Sequence, residues 1–187
     1  MDANERFWLQ KCIDSFRNND FDALLKNSNE LEKYAQDPSI PLMYEAIAYY
    51  HKKNFNKAKK IFYALYLKKF VKEKKQDTNL IYYLALCDLY SGNLDSAVEN
   101  LRKLKRKEPS NTDYSIMLYL ALSIKGDVSS STMQLAEALG INSKKTVQTL
   151  EEMLGIALQN SKLSGTAKVL IIELVRKLSF SNKTLKD

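Results

Sequence analysis

The sequence predicts an all-α fold, a solenoid of helical hairpins, and three observations support this class. Only 5 Gly and 3 Pro occur among 187 residues, too few for a turn-rich sheet protein. Gly92-Asn93 forms a turn signal, and the helical segment that follows stops at Pro109, which cannot continue a helix. The same layout occurs 39 residues upstream, in His51–Leu65. A repeated unit of two helices explains these features together.

The repeat becomes regular when the segments are aligned on the residue that follows each turn. Asn93–Ala97 (NLDSA) matches Asn54–Ala58 (NFNKA) and Asp20–Leu24 (DFDAL). The aligned residues at positions 24, 58 and 97 are 34 and 39 residues apart. The longer second interval predicts a longer second helix in the middle repeat, extending through residues 70–75.

This period and residue pattern resemble the tetratricopeptide repeat, in which a tight turn joins two antiparallel helices. The repeats start at Glu5, Ser39 and Thr78, and a degenerate fourth starts at Thr112. Where the two helices must approach closely, the second and third repeats carry small residues, namely Ala46, Ala58, Ala85 and Ala97. Asp88 departs from the pattern, which has an aromatic residue there. The resemblance implies a solenoid of three repeats and a degenerate fourth over residues 5–126.

Beyond Gly126 the sequence changes, and we expect a repeat domain over residues 1–126 followed by a C-terminal helical cap over residues 127–187. Asp127 and the serines after it can begin a helix that runs to about residue 139. Gly140–Asn142 should break that helix, and Ser143 should cap the next one. A last helix, over residues 164–180, would cover the exposed end of the solenoid.

The residue types needed for catalysis or cofactor binding form no recognisable set. His51 is the only histidine, and it lies beside two lysines at a helix end, where a solvated side chain is usual. Cys12 and Cys87 are 75 residues apart, which does not fit a zinc site. Neither of the glycine-rich phosphate-binding motifs, GxGxxG and GxxxxGK[ST], occurs. We therefore predict a protein that is not an enzyme and has no metal or cofactor.

The sequence also indicates a cytoplasmic protein without a membrane span. The longest apolar candidate, Val169–Val175, falls far short of the roughly 18 residues that a span needs. The N-terminus lacks the basic and apolar regions of a secretory signal. Two isolated cysteines in helical segments fit a reducing compartment.

In tetratricopeptide superhelices, the first helix of each repeat lines a concave groove, so the resemblance implies which residues would face a partner. In this sequence they are Leu9, Ile13, Phe16, Ile40, Met43, Ile47, Tyr50, Tyr82, Leu86 and Leu89. Their aliphatic and aromatic character indicates a groove for an apolar peptide or an amphipathic helix. The Lys and Asn residues with which some family members clamp a chaperone carboxylate are missing. We predict an adaptor or chaperone for a protein partner. The alternative is a superhelix too tight to leave a groove, or a groove that the chain's own tail fills.

A second interpretation is a nucleic-acid-binding regulator, because Thr132–Leu150 resembles a helix-turn-helix. The second helix of that motif would present Ser143, Lys144, Lys145 and Gln148 to DNA. Residues 41–75 also carry ten lysines against two glutamates. This basic segment could attract an acidic partner or phosphates, or be a solvated helix face. The apolar residues among the lysines should face the core, and these are Ile61, Phe62, Leu65 and Leu67.

Overall fold

The structure, a computed structural model, describes residues 2–74 and 76–158, which form helices joined by short turns with no strand in these ranges. The helices are α1 (Ala3–Arg17), α2 (Phe21–Glu32), α3 (Ser39–His51), α4 (Phe55–Glu73), α5 (Thr78–Ser91), α6 (Leu94–Lys107), α7 (Thr112–Lys125) and α8 (Val128–Leu158). The predicted all-α class is confirmed. None of the helices in the described ranges is both long and apolar enough to cross a membrane.

The chain divides into two compact units, Met1–Cys87 and Asp88–Asp187, with the boundary inside α5. In the first unit, α1 packs on α2, α2 on α3, and α3 on α4. In the second unit, α6 packs on α7 and α7 on α8. Each of these pairs consists of helices that follow one another in sequence. The sequence-based boundary after residue 126 stays a prediction.

The two helices of each hairpin are joined by the same backbone geometry. The first helices end at residues in the left-handed region, which are Asn19, Lys53, Gly92 and Gly126, with φ of 55°, 62°, 84° and 83°. The residues that cap the second helices follow directly, and they are Asp20, Asn54, Asn93 and Asp127. In all four repeats the amide of the capping residue donates a hydrogen bond of 2.8–3.0 Å to the carbonyl five residues earlier. This bond is the Schellman arrangement of a helix end, so local residues set each chain reversal.

Three of the four caps also use their side chains. The carboxylate of Asp20 accepts a hydrogen bond from the amide of Ala23 at 2.9 Å, as expected for an N-cap. Asn54 and Asp127 accept from the amides three residues later, at 3.3 and 3.1 Å. In the third repeat, Asn93 instead donates to the buried carboxyl group of Asp88 at 3.3 Å.

Burial confirms the predicted register of the repeats. The aligned residues after each turn, Leu24, Ala58 and Ala97, are fully buried, and Ser131 at the same place in the fourth repeat is 3% exposed. Seven residues further on, each second helix again buries its side chain, in the series Leu31, Leu65, Leu104 and Ala138. The first part of α8 therefore has the same burial pattern as the second helices before it.

The departure of Asp88 from the pattern has a local explanation. Its side chain is 1% exposed and lies at the end of α5 beside the start of α6. Ser96 donates a hydrogen bond to one carboxyl oxygen at 2.7 Å, and Asn93 donates to the other. Asp88 thus connects α5 to the start of α6 by hydrogen bonds, whereas the aromatic residue of the repeat pattern would connect the two helices by apolar packing.

Helix α4 is longer than the second helices of the first and third repeats, as the 39-residue interval predicts. It spans 19 residues, against 12 in α2 and 14 in α6. It ends at Glu73, and Lys74 then takes the left-handed conformation, with φ 54°. Because its hairpin partner α3 has only 13 residues, the last part of α4 extends beyond the length of α3.

Helix α8 is broken at Asn142, inside the predicted Gly140–Asn142 segment. Only Asn142 leaves the helical region, with φ −158° and ψ 94°. Its side-chain oxygen accepts from the amide of Lys145 at 2.9 Å. The predicted cap at Ser143 is therefore wrong by one residue, because the asparagine side chain reaches the free amide first. The predicted helix over residues 164–180 lies outside the described residues.

Two glycines in the second unit provide opposite tests of these helix ends. Gly126 has φ +83°, whereas Gly140 lies within a helix, and an added Cβ would meet no atom within 4 Å at either position. Gly126→Ala should lower the free energy of unfolding by about 1 kcal/mol through backbone strain. Gly140→Ala should raise it by roughly 0.5–1 kcal/mol. Urea unfolding measures both, and changes of the same sign would contradict the assigned helix ends.

Candidate functional site

The residues that the resemblance places in a groove differ in exposure. Leu9, Ile40 and Ile47 are half-buried and pack against the core around Cys12 and Leu24. The remaining half-buried residues of the set are Ile13, Met43 and Tyr82, and Phe16 is 40% exposed. The first unit therefore has an accessible apolar surface on α1 and α3, part of which also stabilises the core.

Three residues of the predicted groove are buried. Tyr50 is 9% exposed and makes edge contacts with Phe55 and Tyr83. Leu86 and Leu89 are 5% and 4% exposed. A partner cannot reach these three side chains in this conformation, so we assign them to the core. Their place in the repeat did not predict this depth of burial.

A pocket of about 470 Å³ opens in the first unit between α3, α4 and the start of α5. Its apolar wall consists of Ile40, Met43, Tyr44, Leu65 and Leu80. Its polar rim consists of Asp37, Ser39, Lys68, Lys69, Lys72, Glu73 and Asp77. We call it the lysine-rimmed pocket. Ile40 and Met43 belong to the predicted groove set, whereas the residues from α4 and α5 were not predicted for this site.

Two of the lysines on the rim are held by hydrogen bonds. Lys68 donates to the hydroxyl of Ser39 at 3.0 Å and lies 3.9 Å from the carboxylate of Asp37. Lys69 donates to Asp77 at 2.6 Å. Asp77 in turn accepts from the amide of Leu80 at 3.0 Å, which caps α5. These contacts fix the rim to the elements on either side of the pocket.

The ionisation of the rim carboxylates follows from these contacts. A hydrogen bond from the amide of Ser39, helped by its hydroxyl, lowers the pKa of Asp37. Burial would raise the pKa of Asp77, but hydrogen bonds from Lys69 and from Leu80 outweigh it and the pKa is lowered. The same bond raises the pKa of Lys69. Asp37, Asp77 and Lys69 are therefore charged over the physiological pH range, beside an apolar wall.

The length of α4 explains why the pocket exists. Lys68, Lys69, Lys72 and Glu73 all lie in the last two turns of α4. A second helix as short as α2 or α6 would end before most of these residues. The five-residue difference between the two repeat intervals thus provides one side of the pocket.

The lone histidine belongs to an aromatic cluster in the first unit. The ring of His51 is stacked on Phe21, with centroids 4.2 Å apart, and makes edge contacts with Phe16 and Tyr50. The residue as a whole remains exposed. Partial burial of the ring lowers its pKa. Its described neighbours are aromatic side chains, which suit packing better than proton transfer.

The residues of the predicted helix-turn-helix lie around the break in α8. Thr146, Val147 and Leu150 are buried, and Thr146 donates to the carbonyl of Ala138 at 2.9 Å. Lys145 forms a 3.0 Å ion pair with Asp113 of α7. Ser143, Lys144 and Gln148 are exposed. The first helix of the supposed motif has the burial pattern of the earlier second helices, so the segment already has a role in the fold. Nucleic-acid binding stays a prediction.

Metal binding can be examined over the same described ranges. Among the described side chains, those of residues 2–74 and 76–150, no three His, Cys, Asp or Glu come together as a metal site would require. Cys12 and Cys87 are both buried free thiols, and burial raises the pKa of Cys12 to about 11. A thiol with such a pKa is a poor nucleophile near neutral pH.

Comparison with known proteins supports the fold. No protein family model matches the sequence, and no curated protein matches it. A solved structure of MamA (residues 41 to the end) from Desulfovibrio magneticus RS-1 matches with a TM-score of 0.68 and 13% identity, covering 97% of this chain and 98% of that chain. A structure of MamA MSR-1 matches with a TM-score of 0.62 and 15% identity, covering 97% and 99%. The MamA structures are tetratricopeptide-like helical solenoids, and this chain has the same fold.

Proposed function

We propose that this chain is a protein-interaction module, without enzymatic activity, that binds an apolar segment of a protein partner. The observation that carries the proposal is the lysine-rimmed pocket. It combines two residues of the predicted groove, Ile40 and Met43, with an apolar wall and a charged rim. A tetratricopeptide-like solenoid commonly presents such surfaces to peptides.

The pocket can take one or two apolar side chains of a peptide. Its volume of about 470 Å³ lies within the range of small ligand sites. Transfer of one Leu- or Phe-sized side chain from water into such a site contributes roughly 1.5–3 kcal/mol. Met43 suits this task because its flexible thioether adapts to differently shaped anchors. The charged rim would orient the backbone and polar groups of the partner around the anchor.

A photo-crosslinking experiment tests the proposal. A photoreactive benzoylphenylalanine replaces Met43 in the full chain, and the matched control places it at Lys26, an exposed residue of α2 in the same unit. After irradiation in cells that express the chain, mass spectrometry identifies the linked peptides. We expect crosslinks at residue 43 to map to apolar segments of a defined partner. Equal labelling from both positions would contradict a site at the pocket.

Met43→Gln tests whether the pocket is a binding surface or part of the core. Met43 is half-buried, so the substitution should change the free energy of unfolding by less than about 1 kcal/mol. It should lower the affinity for the crosslinked segment by about tenfold, because the anchor then meets a polar wall. Urea unfolding and a binding titration measure the two effects. A large loss of stability with unchanged affinity would assign Met43 to the core instead.

A further inference from the structure

The outer side of α4 carries exposed apolar side chains at helical spacing. Tyr63, Leu67, Phe70 and Val71 are 52%, 43%, 41% and 68% exposed. Their spacing of i, i+4, i+7 and i+8 places them on one face of the helix. We call this face the α4 outer stripe. The expectation that Leu67 faces the core is wrong, because Phe62 and Leu65 already fill the buried side.

Lysines flank the stripe along the helix. Lys59 and Lys60 lie four and three residues before Tyr63 in the same helix, so these two positions adjoin the stripe, and Lys74 follows directly after the last residue of the helix. Glu73 is the only carboxylate in the 19 residues of α4. Lys68, Lys69 and Lys72 lie on the other side of the helix, at the pocket. The outer face of α4 is thus apolar along its centre and basic around it.

The stripe is small for a stable contact with another protein. Aromatic side chains bury roughly 150–250 Å² each, and the aliphatic Leu67 and Val71 are smaller, so four side chains that are about half exposed offer at most roughly 400 Å². A standard protein interface takes about 800 Å² from each partner. A bilayer has no such requirement, because protruding apolar side chains can enter it one by one while flanking lysines stay at the headgroups.

From this combination we propose that the α4 outer stripe docks on an anionic lipid surface. Tyr63, Leu67, Phe70 and Val71 would enter the region between headgroups and acyl chains, with α4 lying in the plane of the membrane. Lysines near an anionic surface each add to the attraction. Residues 41–75 contain ten lysines and two glutamates, a net charge of +8, whereas the rest of the chain sums to −1 and the whole chain to +7. The attraction is therefore concentrated around this helix. The pocket lies on the opposite side of α4 and would stay open to a protein partner.

Vesicle sedimentation tests the proposal with the full chain. The probes are vesicles of phosphatidylcholine alone and vesicles with about 30% phosphatidylserine, each at about 50 and 300 mM salt. We expect binding to the anionic vesicles alone, and a marked loss of binding at the higher salt concentration. The double variant Leu67→Ser, Phe70→Ser should weaken this binding at least tenfold, and Lys60→Glu should weaken it about tenfold.

Matched controls keep the test specific. Val128→Ser removes a side chain that is 70% exposed in the other unit, and Lys26→Glu reverses a lysine of α2; both should bind anionic vesicles as the unchanged chain does. Circular dichroism checks that every variant remains helical. No preference for anionic vesicles would overturn the proposal, as would equal losses in stripe and control variants. Stripe-dependent capture of an acidic protein without vesicle binding would assign the stripe to a protein partner and overturn it as well.

Discussion

Phe62→Ala should lower the free energy of unfolding by about 3–5 kcal/mol, the largest effect that we expect from a single substitution. Phe62 is fully buried on α4, and its ring is stacked on Tyr83 of α5 with centroids 4.7 Å apart and planes at 10°. Removal of the ring leaves a cavity between the helices, and Tyr83 loses the ring on which it is stacked. Because protein interiors are closely packed, small movements of the surrounding side chains cannot refill a cavity of this size. Urea unfolding followed by circular dichroism measures the change.

The adjacent residue provides the control for this prediction. Tyr63 is 52% exposed, so Tyr63→Ala should change the free energy of unfolding by less than about 0.5 kcal/mol. The two variants remove aromatic rings from consecutive positions of one helix and share its helix-propensity change. Similar losses from both would mean that α4 is rotated relative to the arrangement described above, and the repeat register would be wrong.

Asp88→Ala should lower the free energy of unfolding by about 2–3 kcal/mol. The carboxyl group of Asp88 is 1% exposed and accepts hydrogen bonds from Ser96 at 2.7 Å and from Asn93 at 3.3 Å. Alanine would leave both donors near the start of α6 without this acceptor. Asn93 has no side-chain hydrogen bond to the amides of α6. Asp88 therefore helps to stabilise the first turn of α6 through its hydrogen bonds with Asn93 and Ser96. Thermal and urea unfolding measure the loss.

Two further substitutions separate the hydrogen bonds from the charge. Asp88→Asn retains an acceptor for Ser96 and should cost less than Asp88→Ala. Ser96→Ala removes only the shorter bond and should cost about 1–2 kcal/mol. If Asp88→Ala were neutral, the carboxyl group would make no net contribution to stability.

Much of the fold could be predicted from sequence because its signals are local. Asp20, Asn54 and Asn93 are residue types that begin helices, and Gly92 and Gly126 are residue types that end them. The left-handed conformation of Lys53 could not be predicted, because nothing in a lysine favours it. It follows only from the common hairpin geometry that neighbouring repeats impose.

The site was less predictable because it depends on contacts between helices. Ile40 and Met43, which the repeat pattern placed in a groove, line the pocket, and their contact with a partner stays a prediction. The repeat pattern indicated Leu86 in the same way, although packing buries this side chain. The partners of Lys68 and Lys69 also could not be foreseen, since Ser39 and Asp77 come from other elements. Periodicity identifies the face of a helix, but depth and pairing depend on the neighbours that cover it.

The common hairpin joint also bears on how fast the chain reaches its folded state. Each joint closes a turn of very few residues, so the entropy lost in bringing its two helices together is small. Within each unit the packed helices are consecutive in sequence, which keeps the contact order low. Chains of this kind cross their rate-limiting barrier in microseconds to milliseconds. Native hairpins can therefore form before the apolar side chains of α4 have time to find those of another unfolded molecule, which limits aggregation during synthesis.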